Sequence, residues 1–234
     1  IIQKCSKVNA GHIGGSLSMS QFLLPLLYTF HENNKDYRLV LSKGHASLGL
    51  YSILNTLNIT NKPFDNYCTL NEGSYHGHTS HKGFEKILIS SGSLGHGLPV
   101  AHGYAYANSL KNIRDIPVFC IVGDGELQEG TFWETLQHLT NIDINLKLII
   151  DYNNSIETNT RPINEIIPKI LDITCINPTL YIDLISLINK TLGYGFEIFI
   201  CNTNKVANLT GYENKPRWHA GIPNDIEAIK MKES

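Results

Sequence analysis

The chain has no C-x-x-C pair, and its cysteines are odd in number: Cys5, Cys68, Cys120, Cys175 and Cys201. That argues against a disulfide framework and for a reduced, cytosolic (cytoplasmic) chain whose thiols are buried, as the apolar surroundings of Cys120 suggest. No apolar run nears the roughly 20 residues that cross a bilayer. The longest, Phe22–Tyr28, is short and contains Pro25, so no membrane partner is expected. No n-region with a cleavage site is seen, so a secretion signal is not expected. Net charge is −2, with no basic excess and no charged tail, so nucleic acid is not an expected partner. No G-x-G-x-x-G follows a first strand, which disfavours a nicotinamide enzyme, and no H-E-x-x-H appears, which disfavours a histidine-held metallohydrolase. There is no internal repeat.

What is present fits one large domain with a substantial core: 234 residues, of which 42% are hydrophobic. Strands are expected at Arg38–Ser42, Lys86–Ser90, Val118–Val122, Leu146–Tyr152 and Phe196–Asn202. Leu41, Ile89, Ile121 and Ile150 lie in continuous apolar runs, the mark of strands covered on both faces. Helices are expected at Met19–Phe30, Ala46–Leu57, Leu94–Leu110, Gln128–Asn141 and Tyr181–Leu192. Alternating strands and helices imply an α/β fold with a mostly parallel sheet flanked by helices. Residues 157–180, with three prolines, read as a loop with a short helix.

One stretch carries chemistry, "VFCIVGDGELQEGTFWE" at 118–134. A parallel sheet binds ligands beyond the carboxyl ends of its strands. Gly123 and Gly125 allow a tight turn there, and Asp124 offers a carboxylate that suits a hard divalent cation and, through it, phosphate oxygens. The helix that follows is expected to aim its N-terminus at the same place. Alone, the triplet reads more readily as a tight turn with an Asp cap. The next strand ends in "IIDYNNSIE", which brings Asn153 and Asn154 to the same edge, with neutral oxygen donors and backbone carbonyls.

G-D-G followed about thirty residues later by Asn resembles the thiamine diphosphate signature, and "GDGELQEGTFWE" is similar to its version in transketolases, especially the short N-terminal subunits of split transketolases. Five further segments, in order, are similar to that family: "GHIGGSLSMS" (11–20), "LSKGHASLGLYSIL" (41–54), "GHTS" (77–80), "SGSLGHGLPVAHGYA" (91–105) and "YENKPRWHAGIPND" (212–225). The resemblance implies a thiamine diphosphate-binding fold, the diphosphate-binding (PP) domain, over residues 1–234, without the pyrimidine-binding and C-terminal domains. It implies thiamine diphosphate with Mg²⁺, or Ca²⁺, as cofactors. The metal ligands would be Asp124, Asn153 and the Ser155 carbonyl; the alternative pair is Asn154 and Ile156. Gly123, Gly125 and Glu126 would lie by the diphosphate, and Gly92 and Leu94 near the aminopyrimidine ring. His12, His45, His78 and His219 correspond to the family's channel histidines, which bind diphosphate and sugar hydroxyls and move protons. Glu129 matches an acid of the network joining two active sites. His96 would only line the pocket, and His76 and His81 would face solvent.

The resemblance also implies what this chain lacks. The glutamate that activates the aminopyrimidine comes from a separate domain, and only nine residues follow Asp225. A partner subunit supplying that Glu is therefore expected, the alternative being a truncated longer chain, with sugar or sugar-phosphate substrates and transfer of a two-carbon ketol unit. The family's K-T-x-K-G-x-G segment is replaced by "CNTNKVANLTGYEN" (201–214), which leaves donor and acceptor sugars open. The alternatives are a component of a deoxyxylulose-phosphate synthase-like or 2-oxo acid dehydrogenase-like enzyme, and a non-catalytic scaffold subunit.

Overall fold

The computed structural model describes residues 1–68, 75–153, 172–206, 209, 211–213 and 215–233. Five strands form one sheet: β1 (Arg38–Leu41), β2 (Val118–Gly123), β3 (Leu146–Tyr152), β4 (Ile173–Ile176) and β5 (Phe196–Asn202). Every pairing is parallel, in the order β1-β2-β3-β5-β4. The apolar strands divide by the two-residue period of a strand. Val40, Val118, Cys120, Val122, Leu148, Ile150 and Ile198 face one core layer, whereas Leu39, Leu41, Phe119, Ile121, Ile149 and Phe199 face the other. Both faces are apolar because both are covered.

Helices α4 (Gly97–Leu110) and α5 (Gly130–Leu139) cover the first face. The second is covered by α2 (Ile13–Glu32), α3 (Ser47–Thr56) and α6 (Tyr181–Leu192). In α2, Met19, Phe22, Leu23, Leu26, Leu27 and Phe30 repeat at three- and four-residue steps and are all buried. Each such side chain contributes about 1.5–3 kcal/mol on burial. The short helices α1 (Ile2–Val8) and α7 (Asp225–Glu233) meet each other, with Ser6 Oγ donating to Asp225 over 2.9 Å.

Four expectations need correction. Lys86–Ser90 is not a strand. One bridge, Leu39 to Ile87, joins it to β1, after which the Ser91 amide donates to the Thr79 carbonyl (3.0 Å) and draws the chain off the sheet edge. The expected loop 157–180 contains β4, which pairs with β5; residues 154–171 lie outside the described residues. Helix α4 begins at Gly97 rather than Leu94, because the preceding turn needs Gly95 at φ +77°. Of the five thiols, all free, Cys5, Cys120 and Cys201 are buried, but Cys175 is exposed and Cys68 only partly covered. Among the described residues no helix is long and apolar enough to cross a membrane.

Candidate active site at the carboxyl edge of the sheet

The strand register sets the site. Leu41 pairs with Ile121, Gly123 with Asp151, and Asp151 with Cys201, so the segments beyond β1, β2, β3 and β5 emerge on one edge. There they enclose a cavity of ≈ 350 Å³. Gly123, Asp124, Gly125, Glu126 and Glu129 line it from the β2 side, Lys43 and His45 from β1, Asn153 from β3, and Leu94, Lys205 and His219 complete it. Asp124 and Asn153, at adjacent strand ends, are 8% and 7% exposed. They are hard oxygen donors with no thiol beside them, a set that suits Mg²⁺ or Ca²⁺ rather than a soft metal. Ser155, Asn154 and Ile156, on which the choice of the remaining metal ligand turns, lie outside the described residues.

The helix after Asp124 does not start where expected. A 3-10 turn, Asp124–Gln128, comes first, and α5 starts at Gly130. The turn is shaped by side-chain acceptors. The Gly125 amide donates to Asp124 Oδ1 (3.1 Å), and the Gly123 amide to Glu126 Oε2 (3.0 Å). Glu126 is 1% exposed. Its Oε1 accepts from Ser42 Oγ and from the Gly95 amide at 3.0 Å. Burial pushes its pKa up, against the hydrogen bonds from Ser42, Gly95 and Gly123, which hold it down. Glu126 thus reaches the cavity wall with both carboxylate oxygens already turned to protein donors.

The four histidines gather beside the cavity. His12 stands 5.2 Å from His45, 6.2 Å from His78 and 6.1 Å from His219, centroid to centroid, and His45 stands 5.3 Å from His219. They come from the start of α2, the turn after β1, the 75–80 segment and the 216–219 turn, four separate stretches of sequence. Burial lowers the His45 pKa to about 2, helped by the positive charge of Lys43 and then by the neighbouring histidines. Burial also lowers that of His12, with His219 and His78 adding to it. Both rings are therefore neutral at pH 7, able to donate from one nitrogen and accept at the other. Gly92 is exposed next to His78, Leu94 lies on the rim, and Glu129 is exposed at the cavity edge. His76 and His81 are exposed, as expected. His96 does not line the cavity; its Nδ1 is bonded within its own turn to Ser93 and the Leu94 carbonyl.

The floor of the site is not among the residues expected from sequence. Lys43 forms a buried ion pair with Asp151, which also accepts from Ser18 Oγ (2.6 Å) and from Thr203 Oγ1. Lys205, likewise buried, lines the cavity. Such buried charges are tolerated because partners surround them. Lys43 and Lys205 follow β1 and β5 by two and three residues and Asp151 is the next-to-last residue of β3, so position offered a weak signal for them, but nothing in the sequence pointed to their partners.

Buried oxygen donors, ammonium groups and histidines thus gather at the carboxyl edge of a parallel α/β sheet, the edge where such sheets bind ligands. Similarity to known proteins gives the class. The family model described as "Transketolase, thiamine diphosphate binding domain" matches residues 1–163, and the chain belongs to that family. It is 24% identical to an apulose-4-phosphate transketolase subunit of Actinobacillus succinogenes, over 97% of this chain and 88% of that one. It is 31% identical to the 6-deoxy-6-sulfo-D-fructose transketolase subunit SqwG of a Clostridium species, over 71% of this chain and 64% of that one. Among solved structures, transketolase from Campylobacter jejuni shares the fold with a TM-score of 0.75 at 24% identity. The alignment covers 98% of this chain but 40% of that one, and only 37% of the human transketolase is covered.

Proposed function

We propose that this chain is the diphosphate-binding subunit of a thiamine diphosphate- and Mg²⁺-dependent transketolase-like enzyme that moves a two-carbon ketol unit between sugars or sugar phosphates. The observation that carries the reading is the cavity in which Asp124 and Asn153 meet Lys43, Lys205, His45 and His219, with His12 and His78 packed behind those two rings. Asp124 and Asn153 would hold the metal, with Ser155 as the third ligand from this chain. Among the described residues no three His, Cys, Asp or Glu side chains converge as a metal cluster. The rest of the coordination shell therefore falls to phosphate oxygens, carbonyls or water, as is usual for Mg²⁺. Lys43 and Lys205, both on the cavity wall, would offset the diphosphate charge.

Bound thiamine diphosphate supplies the carbanion-stabilising chemistry of ketol transfer. The chain's own part is to orient. His45 at the cavity and His12 behind it, both neutral, would orient hydroxyl groups through ring-nitrogen hydrogen bonds, with His78 and His219 beside them. Gly92 and Leu94 offer the rim against which the aminopyrimidine would rest. Glu129, exposed at the edge, would meet the partner subunit, which brings the activating glutamate. The relatives named as transketolase subunits support a two-subunit assembly, and the sugars they are named for, a phosphate and a sulfonate, support an anionic carbohydrate substrate.

The test is calorimetric titration of thiamine diphosphate with Mg²⁺ into the chain by itself and into the chain with its partner subunit. Binding that appears only with the partner is expected. Tight binding by the isolated chain would remove the need for a partner in holding the cofactor. No binding in either case would favour a non-catalytic scaffold.

A further inference from the structure

We propose that Glu126 is a positioning residue rather than a cofactor ligand: its carboxylate latches the 91–97 turn and the end of β1 to the turn that carries Asp124. Three stretches distant in sequence end on this one group. Ser42 donates from the end of β1, Gly95 from the 91–97 turn, and Gly123 from the end of β2. Ser42 Oγ in turn accepts from the Gly97 amide at 3.1 Å, which fixes the direction of its own proton toward Glu126. Every partner of the carboxylate is therefore a donor.

The latched turn has no slack. A Cβ on Gly97 would come within 2.3 Å of Ser42 Cβ, and one on Gly95 within 2.6 Å of Glu129 Cβ. Thr131 Oγ1 donates to the Gly95 carbonyl at 3.1 Å, so both polar groups of Gly95 are held. Leu94, the next residue, stands on the cavity rim, and Asp124 lies two residues before Glu126. The latch thus sets the distance between the two walls of the cavity.

The donor-only surroundings make Glu126→Gln a severe change despite equal size. Whichever way the amide turns, its NH₂ faces a donor, Gly123 on one side or Ser42 and Gly95 on the other. The first readout needs no cofactor: amide exchange by NMR in the full chain. In Glu126→Gln the Gly95 or Gly123 amide should exchange about tenfold faster, whereas Phe119 and Ile149 in the sheet keep their protection. In the assembled enzyme, half-saturation by thiamine diphosphate should then need about tenfold more cofactor, with kcat at saturation retained.

Unchanged exchange at Gly95 and Gly123 overturns the proposal. So does a fall in kcat at saturation with both amides still protected, which would make Glu126 a group in contact with the cofactor. If Glu126→Gln does not fold, Ser42→Ala decides. Gly97 should then exchange faster while Gly123 stays protected, and unchanged exchange at Gly97 defeats the latch. The second arm rests on the proposed function and the first does not, so a wild-type enzyme that binds no cofactor defeats that function alone.

Discussion

The amino end of β1 and the carboxyl end of the sheet treat charge in opposite ways. At the amino end of β1, Asp36 lies 2.7 Å from both Arg38 and Lys86 beside a cavity of ≈ 280 Å³. That end balances itself in partial contact with water: the Asp36 side chain is 42% exposed. At the carboxyl end, Lys43, Asp151 and Glu126 are almost wholly buried and wired to backbone and hydroxyl groups. Charge at the amino end of β1 is an ordinary solvated surface feature. At the carboxyl end it has been taken out of water and arranged around a cavity, which a stable fold alone does not require.

The contrast is broken most directly at Asp151. Asp151→Leu strands the Lys43 ammonium and should cost about 3–5 kcal/mol in urea unfolding, and Lys43→Met in the same chain should restore much of it. Full loss in the double variant would mean that Ser18 and Thr203, rather than the ion pair, carry the stability. The next effect is on binding. Asp124→Ala should weaken Mg²⁺-dependent thiamine diphosphate binding by about 100-fold or more, roughly 2.7 kcal/mol, with the circular dichroism spectrum unchanged. Affinity that survives would remove Asp124 from the metal site.

A smaller effect is pH-dependent. The His45 pKa is depressed in the fold, so the unfolded chain takes up a proton that the native one refuses. The His45 contribution to stability is complete above its unfolded pKa of about 6.5 and declines as pH falls below it, by roughly 1–2 kcal/mol at pH 5. His45→Asn should flatten that part of the unfolding profile; an unchanged slope would assign it to other groups. The smallest effect belongs to the amino end. Lys86→Ala should cost about 0–1 kcal/mol. Burial works to raise the Asp36 pKa, but hydrogen bonds from Lys86, Arg38 and the Tyr37 amide hold it down at about 2. Its contribution is present above the ordinary carboxylate pKa and is lost only as pH falls through about 2, so in Lys86→Ala the loss should move to higher pH.

Much of this was legible in the residues. Four of five expected strands occur within a residue of their observed bounds, because runs such as Val118–Val122 are apolar at every position and only a strand covered on both sides uses that pattern. Lys86–Ser90 has the same look but makes one bridge, since whether a short apolar run joins a sheet depends on what pulls its ends. β4 was not legible: Ile173–Ile176 is four residues of edge strand with one buried position, too little pattern to stand out from a polar surround. Asp124 stood out because two glycines isolate it after a strand. Lys43 and Asp151 did not, because a lone charge in a sequence says nothing of the partner that lets it be buried.

By itself the sequence determined the alternation of strands and helices, the parallel sheet, and the residue types at each strand end, for these follow from local periodicity and from which side chains water rejects. Only the tertiary structure decided that His12, His45, His78 and His219 gather in one cluster and that Asp151 serves Lys43. It also decided that both oxygens of Glu126 turn inward. Those facts depend on strand order and register, and hence on contacts between residues as far apart as Ser18 and Asp151 or Ser42 and Glu126. Local propensity does not encode such pairings; they are settled when the two core layers close on the sheet.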